Sequence, residues 1–70
     1  MLHEINERAL YDNTTHDGFL SDLLASAPTR ARWRRDGTGP KFVRRGRRIG
    51  YLGSDIAAWL NENRREREVA

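Results

Sequence analysis

The chain of 70 residues contains no cysteine. That absence excludes disulfide staples and thiolate metal sites, zinc fingers among them, and it fits a reducing compartment. Histidine is scarce: His3 and His16 stand far apart with no ligand cluster around them, so neither a metal nor a cofactor is expected. No apolar run approaches the roughly 18–20 residues that a membrane span needs. The opening residues, Met1 to Arg8, lack a basic stretch followed by an apolar one, so a secretion signal is not expected. There is no internal repeat. The carboxylates form no paired arrangement, and no nucleophile stands in a pattern with a base. Gly37-Thr38-Gly39-Pro40 lacks the Lys-Ser/Thr of a phosphate-binding loop. No catalytic residue, enzymatic activity or small-molecule ligand is therefore expected. A chain of this length forms one domain at most, with a small core and no room for a separate sensing or catalytic unit.

What the chain does have is arginine, and in one place. Nine of the nineteen residues from Arg30 to Arg48 are basic and only Asp36 is acidic, a local charge of +8 against +3 for the whole chain. The flanks are net acidic: residues 1–29 carry one arginine against five carboxylates, and residues 49–70 three against four. Positive charge gathered into one stretch, interleaved with Trp33, Phe42, Val43 and Ile49, predicts a face for a polyanion, nucleic acid first.

Local patterns give the elements. Residues 1–18 read as an N-terminal arm, either helical (Leu2, Ile5, Ala9 and Leu10 have loose helical spacing) or an unstructured tail. Phe19 to Ala25 predicts a short helix with Phe19, Leu20, Leu23 and Leu24 on one face. Ser26 is the expected N-cap of a second helix from about Ala27 to Arg35, with Pro28 tolerated in its first turn and Gly37 suited to its end. Phe42-Val43 and Ile49-Gly50-Tyr51 are β-type runs flanking Arg44-Arg45-Gly46-Arg47-Arg48, which predicts a hairpin with an arginine-rich tip. Ser54 is the expected cap of a third helix, whose Ile56, Trp59 and Leu60 form an apolar stripe toward the core. Residues 63–70 read as a polar tail. The fold class is α+β: two short helices, a two-stranded hairpin and a C-terminal helix.

The string from Trp33 to Leu60 resembles the small winged-helix proteins of the excisionase and AlpA-like group, which carry a MerR-type helix-turn-helix. The resemblance rests on Trp33-Arg34, Gly37-Thr38-Gly39-Pro40, Phe42–Tyr51, Ser54-Asp55 and Trp59-Leu60, and it covers about residues 19–62. Two positions depart from the family pattern. Leu23-Leu24-Ala25-Ser26 lacks the usual glycine, and Arg30 stands where an apolar residue usually precedes the tryptophan by three. Ala27 and Ala31 are accordingly expected to pack inward in its place. The resemblance implies a winged helix-turn-helix spanning residues 19–62 that binds duplex DNA in the bacterial or mobile-element cytoplasm, at the nucleoid.

On that frame the second helix reads base edges in the major groove, with Thr29, Arg30, Arg32, Arg34 and Arg35 as candidate contacts. Its arginines favour guanine. Arg45 and Arg47 flank Gly46 and project furthest from the hairpin, toward the minor groove. Lys41, Arg44 and Arg48 are expected on phosphates, and helix and hairpin together are expected to bend the duplex. Trp33 is expected in the core. The resemblance implies a recombination directionality factor that works with an integrase, its copies lined up head to tail on DNA; the acidic N-terminal third and the basic centre of the sequence offer a charge match for such an arrangement. The alternatives are an AlpA-like transcriptional regulator acting at a promoter, and, more distantly, an RNA-binding basic protein.

Overall fold

A computed structural model describes residues 5–63. Among them are three helices and one three-stranded antiparallel sheet, in the order β1 (Leu10–Asp12), α1 (Asp17–Leu23), α2 (Ala27–Asp36), β2 (Val43–Arg45), β3 (Arg48–Leu52) and α3 (Gly53–Glu62). The sheet order is β1-β3-β2. The α+β class agrees with the sequence reading and α2 falls where expected, whereas α1 starts at Asp17 and ends at Leu23, two residues ahead of the expected Phe19 to Ala25. The expectations for residues 1–4 and 64–70 lie outside the described residues.

The sheet has one strand more than expected. Part of the N-terminal arm is β1, which pairs with β3 so that Tyr11 faces Tyr51 and Leu10 faces Leu52. Three residues are too few for a period-two pattern to show against loose helical spacing. β2 pairs with the other side of β3, placing Arg44 opposite Ile49 and Arg45 opposite Arg48. Gly46 turns this hairpin with φ +59, and Arg47 follows with negative φ. A glycine with positive φ at the first of two turn positions is the pattern of a type II′ turn, which suits the strand twist.

Alternation puts Tyr11, Ile49 and Tyr51 on one sheet face. The core lies against that face: Leu20 of α1, Tyr51 and Ile56 of α3 are fully buried, with Ile5, Phe19, Leu23, Phe42 and Leu60 packed around them. Tyr11 also stacks on Phe19, ring centroids 4.6 Å apart. The stripe on α3 is thus graded. Ile56 is buried, whereas Trp59 is half-buried and packs on Trp33 with centroids 5.0 Å apart. Trp33, expected in the core, is itself half-buried at the α2–α3 contact.

Gly39 makes that contact close: it has φ +79, and a Cβ there would lie 2.6 Å from the Trp33 ring.

Two helix caps differ from expectation. Ser26 occupies the N-cap position of α2, but its hydroxyl donates to Thr29 Oγ1 at 3.3 Å rather than accepting from an amide. α3 starts one residue before Ser54, at Gly53, and has no side-chain cap. Its first amides are satisfied by the N-terminal segment: Gly53 N–H donates to the Ala9 carbonyl at 2.8 Å and Ser54 N–H to that of Glu7 at 3.0 Å. Backbone carbonyls here do what a capping hydroxyl does elsewhere. The approach is so close that a Cβ on Gly53 would collide with the Asn6 carbonyl. No described helix is long and apolar enough to cross a membrane.

Candidate nucleic-acid interface

Helix α2 carries four of the nine cations of the basic stretch, Arg30, Arg32, Arg34 and Arg35, yet its only large apolar residue is Trp33. Something other than aliphatic packing must hold it. Arg30 does this. Its side chain is 0% exposed. Nε donates to Asn13 Oδ1 at 3.0 Å; Nη1 donates to Ser21 Oγ at 3.1 Å and to the Ala25 carbonyl at 2.7 Å. Nη2 donates to the Asn13 carbonyl at 3.3 Å and to Asp17 Oδ1 at 2.7 Å. A guanidinium has five N–H donors, and all five are matched. The assignment of Arg30 to base reading is therefore corrected: it is a buried strut joining α2 to α1 and to the loop after β1.

Burial of Arg30 turns the helix away from its expected orientation. With Arg30 inward, Ala27 and Ala31 are exposed, the reverse of the sequence expectation. Arg34 lies one turn beyond Arg30 and is also turned toward the protein. Its Nη1 donates to the Tyr51 hydroxyl at 2.8 Å, with Asn13 Oδ1 at 3.5 Å. Thr29 is half-buried. Arg32 and Arg35 are exposed, and among the described residues the ion pair of Arg35 is a long one, 3.7 Å, with its neighbour Asp36.

At the hairpin, Arg44, Arg45 and Arg47 are exposed. Arg45 and Arg48 stand directly opposite each other, an unfavourable like-charge pair. Asp12 on β1 relieves it: Arg48 Nε and Nη2 donate to Asp12 Oδ2 at 3.1 and 2.8 Å. Asp12 Oδ1 accepts from the Thr14 and Thr15 amides, each at 2.9 Å. Those two amides, assisted by Arg48, lower the Asp12 pKa to about 2. The bond from Arg30 likewise lowers that of Asp17. Lys41, at the α2–β2 connection, borders a shallow depression with the carboxylates Asp55 and Glu62.

The ten candidate contacts thus separate. Arg30 and Arg34 converge on Asn13, and Arg48 is engaged by Asp12. Arg32, Arg44, Arg45 and Arg47 make no side-chain hydrogen bond or ion pair among the described residues, and Arg35 nearly none. The sequence reading missed Asn13, Asp12, Asp17 and Ser21 as partners. The available signal was Arg30 itself, a charge at a position where helix packing asks for an apolar side chain. Two of the five N-terminal carboxylates, Asp12 and Asp17, are also spent inside the fold, which weakens the head-to-tail charge match expected between copies. The chain matches no protein-family model, and no curated protein or solved structure is detectably similar to it.

Proposed function

We propose that the chain is a sequence-specific duplex-DNA-binding protein of winged helix-turn-helix type. In this reading α1 and α2 are the helix pair, α2 enters the major groove and the β2–β3 hairpin is the wing. One observation carries the proposal: the fold matches Arg30 and Arg34 internally but leaves Arg32, Arg35, Arg44, Arg45 and Arg47 exposed on α2 and the hairpin. Five solvated guanidiniums on two adjoining elements repel one another and are stabilised by a polyanion. The exposed row Ala27–Ala31–Arg35 suits a major groove, alanine methyls meeting thymine C5-methyl groups and arginine meeting guanine O6 and N7. Arg45 and Arg47 reach the neighbouring groove, and Lys41 and Arg44 approach phosphates, while Arg48 is held by Asp12.

The role we propose, resting on the resemblance from Trp33 to Leu60, is that of a recombination directionality factor. Such a protein binds tandem sites beside an integrase and bends the DNA. With part of the acidic N-terminal charge used internally, cooperation between copies comes mainly through the bent duplex.

Fluorescence anisotropy with labelled duplexes at several salt concentrations tests the binding reading. Five to seven neutralised phosphates give a slope of log K against log salt of about −4 to −6. A slope near zero, or equal affinity for single-stranded DNA or RNA, refutes it. A gel-shift series with one, two and three tandem sites tests the role. Cooperative filling with bending supports excision; independent filling of unbent DNA leaves a promoter-binding regulator.

A further inference from the structure

Asn13 is a junction between the two elements assigned to DNA. Its amide donates to the Ile49 carbonyl of β3 at 2.8 Å, its own carbonyl and Oδ1 accept from Arg30, and Oδ1 also lies 3.5 Å from Arg34 Nη1. Arg34 completes the link by donating to the hydroxyl of Tyr51, on the same strand, whose ring is 1% exposed. Trp33 packs on Trp59 of α3. Polar bonds of fixed direction thus link α2 to β3.

We infer that Arg34 is a positioning residue: through its bond to the Tyr51 hydroxyl, with Asn13 alongside, it fixes the angle between α2 and the β2–β3 hairpin so that both fit one duplex. The inference rests on the DNA-binding reading and assigns Arg34 a role other than base contact. An apolar contact in its place would permit rotation of α2, because aliphatic surfaces slide where a guanidinium–phenol bond does not.

Tyr51→Phe isolates the link. It removes one buried oxygen, keeps the ring in the core and leaves every cation in place. The probe is a duplex enriched by the parent protein from a random library, compared with a scrambled duplex. Tyr51→Phe should weaken selected-site binding about five- to tenfold, leave scrambled-site affinity unchanged and so reduce discrimination. Arg34→Ala should reduce discrimination similarly, the double variant no further, and Arg34→Lys should recover part of it. If Tyr51→Phe discriminates like the parent while Arg34→Ala does not, Arg34 touches DNA directly and the inference falls. Residual dipolar couplings in the free protein give a readout that needs no DNA. A changed α2–β3 orientation in Tyr51→Phe supports the positioning role, and an unchanged one overturns it. Failure of the parent to bind any duplex would instead remove the binding reading.

Discussion

Replacing Arg30 by methionine separates the buried strut from a DNA contact. Methionine fills similar length and supplies no donor. The Asn13 carbonyl, the Ala25 carbonyl and Ser21 Oγ then lose their guanidinium partner inside the fold, and Asp17 loses its ion pair. Asp17 is 52% exposed and can be rehydrated, so most of the cost falls on the part-buried acceptors. Three part-buried neutral acceptors left without a donor cost about 1–3 kcal/mol each, less where water reaches them, or about 3–5 kcal/mol together. A 70-residue domain has about 4–10 kcal/mol of total stability on a per-residue scale. At the lower end the variant is unfolded at room temperature. At the upper end its midpoint falls by at least about 12 °C, since 1 kcal/mol corresponds to roughly 4–8 °C in a domain of this size.

The assay is thermal and urea unfolding followed by circular dichroism, with Arg30→Lys and Arg32→Met alongside. Lysine brings three donors to five acceptor positions and should fall between methionine and the parent. Arg32 is exposed, and its replacement should move stability by no more than about 0.5 kcal/mol. The refuting result is an Arg30→Met protein that melts within two or three degrees (~3 °C) of the parent, a shift too small for a broken buried network. Loss of DNA affinity in that still-stable protein would return Arg30 to the interface.

Changing Arg45 and Arg47 together to alanine should lower duplex affinity and make the salt slope shallower by about 1–2, with an unchanged melting curve; an unchanged slope removes the hairpin from the contact surface. Gly53→Ala should destabilise by about 1–3 kcal/mol through its collision with the Asn6 carbonyl, and Ser54→Ala, at a position that caps nothing, should be nearly silent in the same unfolding experiment. The stability that Asp12 contributes through its lowered pKa is present in full above its ordinary value of 3.8 and is lost as pH falls toward about 2. Asp12→Asn should therefore flatten the acid limb of a pH–stability curve between those values; an acid limb identical to the parent's would show that Asp12 is not held by the Thr14 and Thr15 amides.

The elements that the sequence predicts well are those whose signal is local. Gly37 ends α2 because its φ of +79 is a conformation that glycine adopts freely, and Gly46 turns the hairpin for the same reason. The apolar spacing of Leu20 and Ile56 places both in the core. The misread elements depend on partners distant in sequence. β1 is three residues long and exists by pairing with β3, some forty residues away. The α3 cap is supplied by Glu7 and Ala9, so Ser54, a good capping residue by type, stands inside the helix. Arg30 has the composition of a surface residue, and only the convergence of Asn13, Asp17, Ser21 and Ala25 makes it a core one.

That convergence also bears on why a basic stretch is a blunt guide to an interface. Composition assigns all nine cations from Arg30 to Arg48 the same meaning, but a chain this short has few aliphatic residues with which to anchor α2. The same residue type is therefore used twice. Where arginine meets carbonyls, an amide and a carboxylate inside the fold, its planar set of donors replaces a missing leucine or valine as the anchor of the helix. Where it meets solvent, it supplies charge. The division follows helix geometry: Arg30 and Arg34 are four apart and share the inward face, while Arg32 and Arg35 are exposed. A count of arginines overstates the exposed cations of α2 twofold, four against two, and if the proposed duplex binding holds, a salt slope measured on inward-facing and outward-facing variants divides along this line.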